Sequence, residues 1–116
     1  MPVEGAFAIV ASGPASLLGV GRVTSVSEGR ALIEYFDGPG LPVPPVVSCS
    51  LSELLQVVLP PQTRVYRRLP GGRWQAGRVE MADAVSAQVR FPNNQVPDLD
   101  NEEFRVRWKR PLLNPT

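Results

Sequence analysis

The sequence predicts an all-β protein made of two tandem small five-stranded barrels, on three observations. Thirteen prolines and ten glycines, spread over 116 residues, leave few stretches long enough for a helix. The segments between them alternate apolar and polar side chains with a period of two, as half-buried strands do. The chain also repeats itself with a period of 56 residues. Laid over Thr63 to Asn93 without a gap, Phe7 to Asp37 matches Ile9 with Val65, Pro14 with Pro70, Gly21-Arg22-Val23 with Gly77-Arg78-Val79, Ala31 with Ala87, Ile33 with Val89 and Tyr35 with Phe91. Five of the 31 pairs are identical, at a turn proline, a glycine entering a strand and alternating apolar positions. Two unrelated β-meanders would share some of this pattern, so superposition of the two halves decides the question.

Residues 1–59 and 60–116 are the two expected units, joined at Pro60-Pro61, which is too short and stiff to let them reorient freely. In the first, strands are expected over Phe7–Val10, Gly21–Val26, Ala31–Phe36, Val46–Leu51 and Leu55–Leu59. In the second they are expected over Thr63–Arg68, Gln75–Met81, Ala87–Phe91, near Gln95-Val96 and over Phe104–Lys109. Glu28-Gly29 and Gly71-Gly72 supply tight turns. Ser52-Glu53-Leu54 and Asn101-Glu102-Glu103 read as single helical turns before the last strands. Leu55-Gln56-Val57 matches Phe104-Arg105-Val106 at an offset of 49, so the first copy carries seven extra residues, in the proline-rich loop 38–45. Five short, strongly bent strands with a helical turn before the last describe an SH3-like barrel. A unit of this size buries only about 60% of its unfolded surface, which predicts that the two lean on one another.

Several function classes drop out. Without histidine, the commonest general base and metal ligand is missing, and a single cysteine adds no ordinary zinc site. Gly-Pro-Gly at 38–40 and Leu-Pro-Gly-Gly at 69–72 match no phosphate-binding loop. Asp98, Asp100, Glu102 and Glu103 lack calcium-loop spacing and read as a solvated loop. No catalysis, cofactor or metal is expected. No apolar run approaches the ~20 residues of a membrane span, and residues 1–10 have no basic signal-peptide start. Cys49, expected to be a buried strand residue, cannot form an intrachain disulfide, which fits a cytoplasmic setting.

The formal charge of +1 hides an asymmetry: residues 1–59 carry two arginines against five acids, a net −3, and residues 60–116 carry ten basic residues against six acids, a net +4. The second unit is therefore the better candidate for an anionic partner, the alternative being that its charge only solubilises exposed strands. Along Phe104 to Arg110, alternation puts Phe104, Val106 and Trp108 on one face and Arg105, Arg107 and Lys109 on the other, with Arg110 following. Three cations about 7 Å apart along a strand suit a nucleic-acid backbone. Arg67, Arg68 and Arg73 extend that patch; pairing with Asp98, Asp100, Glu102 and Glu103 is the competing reading.

Arg64-Val65-Tyr66, Gly72-Arg73-Trp74-Gln75-Ala76-Gly77-Arg78-Val79 and Val89-Arg90-Phe91 resemble the Tudor pattern of a strand, a G-x-W turn and a V-x-F strand, and Ile33 to Gly38 resembles the V-x-F-x-D-G run of the same family. Tandem Tudor-like modules are also similar to the N-terminal region of bacterial Swi2/Snf2-family ATPases, among them the RNA-polymerase-associated ATPase. That resemblance implies an accessory module of a larger parent chain, contacting the motor core, RNA polymerase or another protein, or a DNA or RNA backbone, with no membrane partner. It also implies an aromatic cage for a methylated cation, built from Tyr66, Trp74 and Phe91, with Tyr35 and Phe36 the corresponding rings of the first copy. Leu18 in place of Trp74, and Pro92-Asn93-Asn94 in place of an acidic run, depart from that pattern. Core packing is the competing role for Phe91 and Tyr35. A stand-alone peptide or methyl-cation reader, and a structural spacer, are the alternative functions.

Overall fold

Among the described residues, apolar alternation pulls ten short strands into two antiparallel sheets of five. The computed structural model describes residues 3–11, 19–36 and 46–106. The proline-rich loop 38–45, Leu18, Arg107, Trp108, Lys109 and Arg110 lie outside the described residues. The first sheet holds β1 (Phe7–Val10), β2 (Gly21–Ser27), β3 (Arg30–Tyr35), β4 (Val46–Ser50) and β5 (Leu54–Val57). The second holds β6 (Arg64–Arg68), β7 (Trp74–Ala82), β8 (Ser86–Arg90), β9 (Asp98–Asp100) and β10 (Arg105–Val106). Strand orders β4-β3-β2-β1-β5 and β10-β6-β7-β8-β9 are the same order. In each, the first strand sits between the second and the last, with a 3₁₀ turn before the last (Leu51–Glu53, Asn101–Glu103). The chain is thus all-β, two tandem small SH3-like barrels.

The repeat extends to irregularities. Val23 faces Ile33 as Val79 faces Val89, and in both copies the register slips just after that pair, bulging at Thr24 and at Glu80. Glu28-Gly29 turns the β2–β3 hairpin with both residues at positive φ, the geometry that matches strand twist. The shorter, less local matches need correction by one residue. Gly21 faces Ala8 whereas Gly77 faces Val65, so Ala8, not Ile9, is the counterpart of Val65. A one-residue slip exchanges the two faces of a strand. Phe7-Ala8-Ile9-Val10 is apolar throughout and therefore ambiguous: Ala8 and Val10 enter the first core, while Phe7 and Ile9 pack on the second. The 3₁₀ turns lie 50 residues apart rather than 49, which makes Leu54 the counterpart of Phe104, both buried, and the excess six residues rather than seven. The fourth strand of the second copy is β9, three residues downstream of Gln95-Val96. Leu99 points inward between two outward aspartates, and Asp100 N–H donates to Glu103 Oε2 (2.7 Å), closing the cap of the 3₁₀ turn.

The cores are joined. Phe7, Val20 and Leu59 pack with Val65, Val79, Val89, Phe91, Phe104 and Val106 in one apolar cluster. Phe7 and Phe104 stack tilted at 5.6 Å across the seam, and Asn101, buried, donates its amide to the Gly5 carbonyl at 2.8 Å. Val23, Ile33, Val79, Val89 and Val106 are buried, as the alternation predicts. So is Cys49 in β4, whose thiol is pushed up by burial and by Glu53, leaving it poorly nucleophilic.

Gly77 is held by the core itself. A Cβ there would lie 2.8 Å from Val89 Cγ1 and from Cδ1 and Cε1 of Phe91. Gly77→Ala is expected to lower stability by about 1–3 kcal/mol through overpacking. Urea denaturation reads this directly; an unchanged midpoint would mean the Phe91 ring yields freely.

Candidate functional site

Strand alternation sorts the predicted site residues into three places. On the inner side of β6 and β7, Arg67 faces Gln75 and donates from Nε to its Oε1 at 2.8 Å. The Arg67 guanidinium carbon lies 3.7 Å from the centroid of Phe91, whose ring is 1% exposed. Phe91 therefore belongs to the core, and the cation on its ring is the protein's own. On the outer side, Arg64, Tyr66 and Arg68 alternate along β6, with Trp74 opposite Arg68. Tyr66 and Trp74 come together, but around Phe36 of the first barrel, with ring centroids 5.9 and 5.1 Å away. The three make a seam between the barrels, and Arg68 approaches the Trp74 ring at 5.7 Å.

The third place is the charged end of that seam. Arg105, opposite Tyr66, donates to the carbonyls of Glu102 and Phe104 and lies 3.8 Å from Glu34 of the first barrel. Glu34 in turn binds Arg22 at 3.0 Å. Burial lowers the pKa of Arg105 and Arg22 adds to this, while Glu34 and Glu102 oppose it. A guanidinium remains charged throughout such shifts. Arg105 thus ties the barrels together, whereas Arg68 and Arg73 are exposed.

Tyr35, a ring of the first copy, is buried, and among the described residues its hydroxyl has no hydrogen-bond partner. Burial, with a contribution from Cys49, pushes its pKa up to about 12. The unfolded chain would lose that proton near pH 10 and the folded one only near 12, so this group's contribution to stability holds below pH 10 and is lost as pH rises toward 12. Tyr35→Phe is expected to flatten the alkaline loss and, by removing an unpaired buried hydroxyl, to cost little or stabilise. Thermal melts of both proteins between pH 8 and 11.5 test this; parallel curves would contradict it.

Sequence reasoning missed Arg64, Arg78 and Arg90. Register places them in one row across β6, β7 and β8: Arg64 faces Arg78, and Arg78 faces Arg90. They line an open groove of about 470 Å³ with Gln62, Glu80 and Asn94. Arg78 donates to the Gln62 carbonyl at 3.2 Å, and Arg90 pairs with Glu80. The signal was in the repeat: Arg22 aligns with Arg78, and Glu34 with Arg90. The ion pair of the first barrel is a like-charge pair in the second.

Among the described residues no group of three or more metal-ligating side chains comes together, and no helix is long and apolar enough to cross a membrane. No family model and no curated protein matches the chain. Among solved structures it is similar to the crystal structure of Arabidopsis thaliana AGDP1 AGD34, at 16% identity over 91% of this chain and 82% of that one, with a TM-score of 0.38.

Proposed function

We propose that the chain is a non-catalytic interaction module whose second barrel offers a basic face to an anionic macromolecule. The observation that carries this reading is the exchange of the Arg22–Glu34 pair for Arg78 facing Arg90. Like charges directly opposite on adjacent strands destabilise a sheet, and Glu80 compensates Arg90 alone, so folding gives no reason to set Arg78 against it. The net +4 of residues 60–116 points the same way. The resemblance to the front of bacterial Swi2/Snf2-family ATPases supplies a setting: an accessory region of a nucleic-acid-dependent motor or transcription-associated protein in the cytoplasm, with the rest of the parent chain, RNA polymerase or nucleic acid as partner. A methyl-cation reader built on Tyr66, Trp74 and Phe91 gains no support from a Phe91 ring already covered by Arg67.

Heparin, a generic polyanion, tests the reading. The chain should be retained at low ionic strength and elute with salt. Arg68→Glu with Arg73→Glu should elute earlier, and Arg30→Glu in the first barrel should not. Passage of the unmutated chain through the column at low salt would contradict the proposal.

A further inference from the structure

We infer that the groove crossed by Arg64, Arg78 and Arg90 is a binding site for the phosphodiester backbone of a single-stranded nucleic acid. The inference rests on the interaction-module reading above and gives it a site and a ligand. Adjacent strands lie about 4.8 Å apart, so the three arginines leave the sheet as a line about 10 Å long rather than as a point. A line of guanidinium forks suits successive phosphates, each of which accepts bidentate hydrogen bonds. Among the described residues Glu80 is the one carboxylate in the lining, and it pairs with Arg90. Arg78 is held from the side by the Gln62 carbonyl, which leaves its charge uncompensated while fixing the guanidinium.

The surroundings favour a nucleic-acid strand over an acidic peptide. Tyr66 shares the outer side of β6 with Arg64, and Trp74 shares the outer side of β7 with Arg78. Both rings are half-buried on the Phe36 seam, two and four residues along their strands from the row, or about 7 and 13 Å, within reach of a nucleic-acid strand that leaves the groove on that side. Cations interleaved with rings serve unpaired bases, which stack, and give nothing to a string of carboxylates. The side-chain amides of Gln62 and Asn94 add neutral donors and acceptors at the groove wall.

Fluorescence anisotropy of the whole chain with a labelled 20-mer single strand, the matching duplex and poly-glutamate, each at two salt concentrations, tests the site. Each phosphate contact to a single strand contributes a salt slope of about 0.7, or about fivefold in affinity at 0.1 M salt. Arg78→Ala should weaken single-strand binding about fivefold. The Arg64, Arg78 and Arg90 triple alanine variant should weaken it at least about 25-fold and lower the slope by about 1.4, the two contacts that Glu80 does not occupy. Glu80→Gln releases Arg90 and should tighten binding up to about fivefold, a gain that misfolding cannot imitate. Arg30→Ala should change nothing. Unaltered binding by the triple variant, no gain from Glu80→Gln, or equal or tighter binding of duplex or poly-glutamate would overturn the assignment while leaving the module reading in place. Failure of the unmutated chain to bind any of the three ligands at low salt would remove both.

Discussion

Val79→Asp and Val89→Asp are each expected to abolish the cooperative melt of the second barrel. The two valines face one another across β7 and β8, both fully buried in the joint core. The Arg67 guanidinium at the edge of that cluster is already held by the Phe91 ring and Gln75, so the carboxylate would be either unpaired in apolar surroundings or protonated at a comparable cost. Several kcal/mol is most of what a domain of this size has in hand. Because Phe7, Val20 and Leu59 belong to the same cluster, the first barrel should loosen as well. Circular dichroism melts check the result, and melting within a few degrees of the unmutated chain would mean that these side chains do not face the core.

Phe104→Ala is expected to cost about 3–5 kcal/mol, the range for emptying a buried phenylalanine site. The Phe104 ring is buried at the start of the last strand and meets Phe7 of the first barrel at 5.6 Å. The loss should therefore be shared: Phe7→Ala should cost a similar amount, and the double variant clearly less than the sum, because each single change already removes their contact. Urea titrations of the three variants measure the coupling. Strict additivity would mean that the two rings do not touch.

Features written in local pattern were legible in the sequence. Val23 and Ile33, Val79 and Val89, the Glu28-Gly29 turn and the Asn101–Glu103 turn all lie where alternation and turn chemistry place them. What local pattern left open was register. Phe7 to Val10 is apolar on both faces because one face serves each barrel, and a strand buried on both sides gives alternation nothing to read. Asp98-Leu99-Asp100 reads as loop because aspartate is poor in strands, yet at the sheet edge both carboxylates face water and only Leu99 must be buried. The arginine row was hidden for the same reason: its members sit 14 and 12 residues apart and become neighbours only once the strands are paired. The candidate cage illustrates the reverse problem, since matching ring types did not reveal that Phe91 turns inward while Tyr66 and Trp74 close on Phe36.

The two copies form one body, fused through Phe7, Phe36 and Arg105, which holds the basic face of the second barrel in a fixed frame. Nuclear Overhauser contacts test it most directly. The rings of Phe36 and Trp74, with centroids 5.1 Å apart, and those of Phe7 and Phe104 should give cross-peaks, and amides of both sheets should report one rotational correlation time. Missing inter-barrel cross-peaks, together with two barrels tumbling at different rates, would contradict the account.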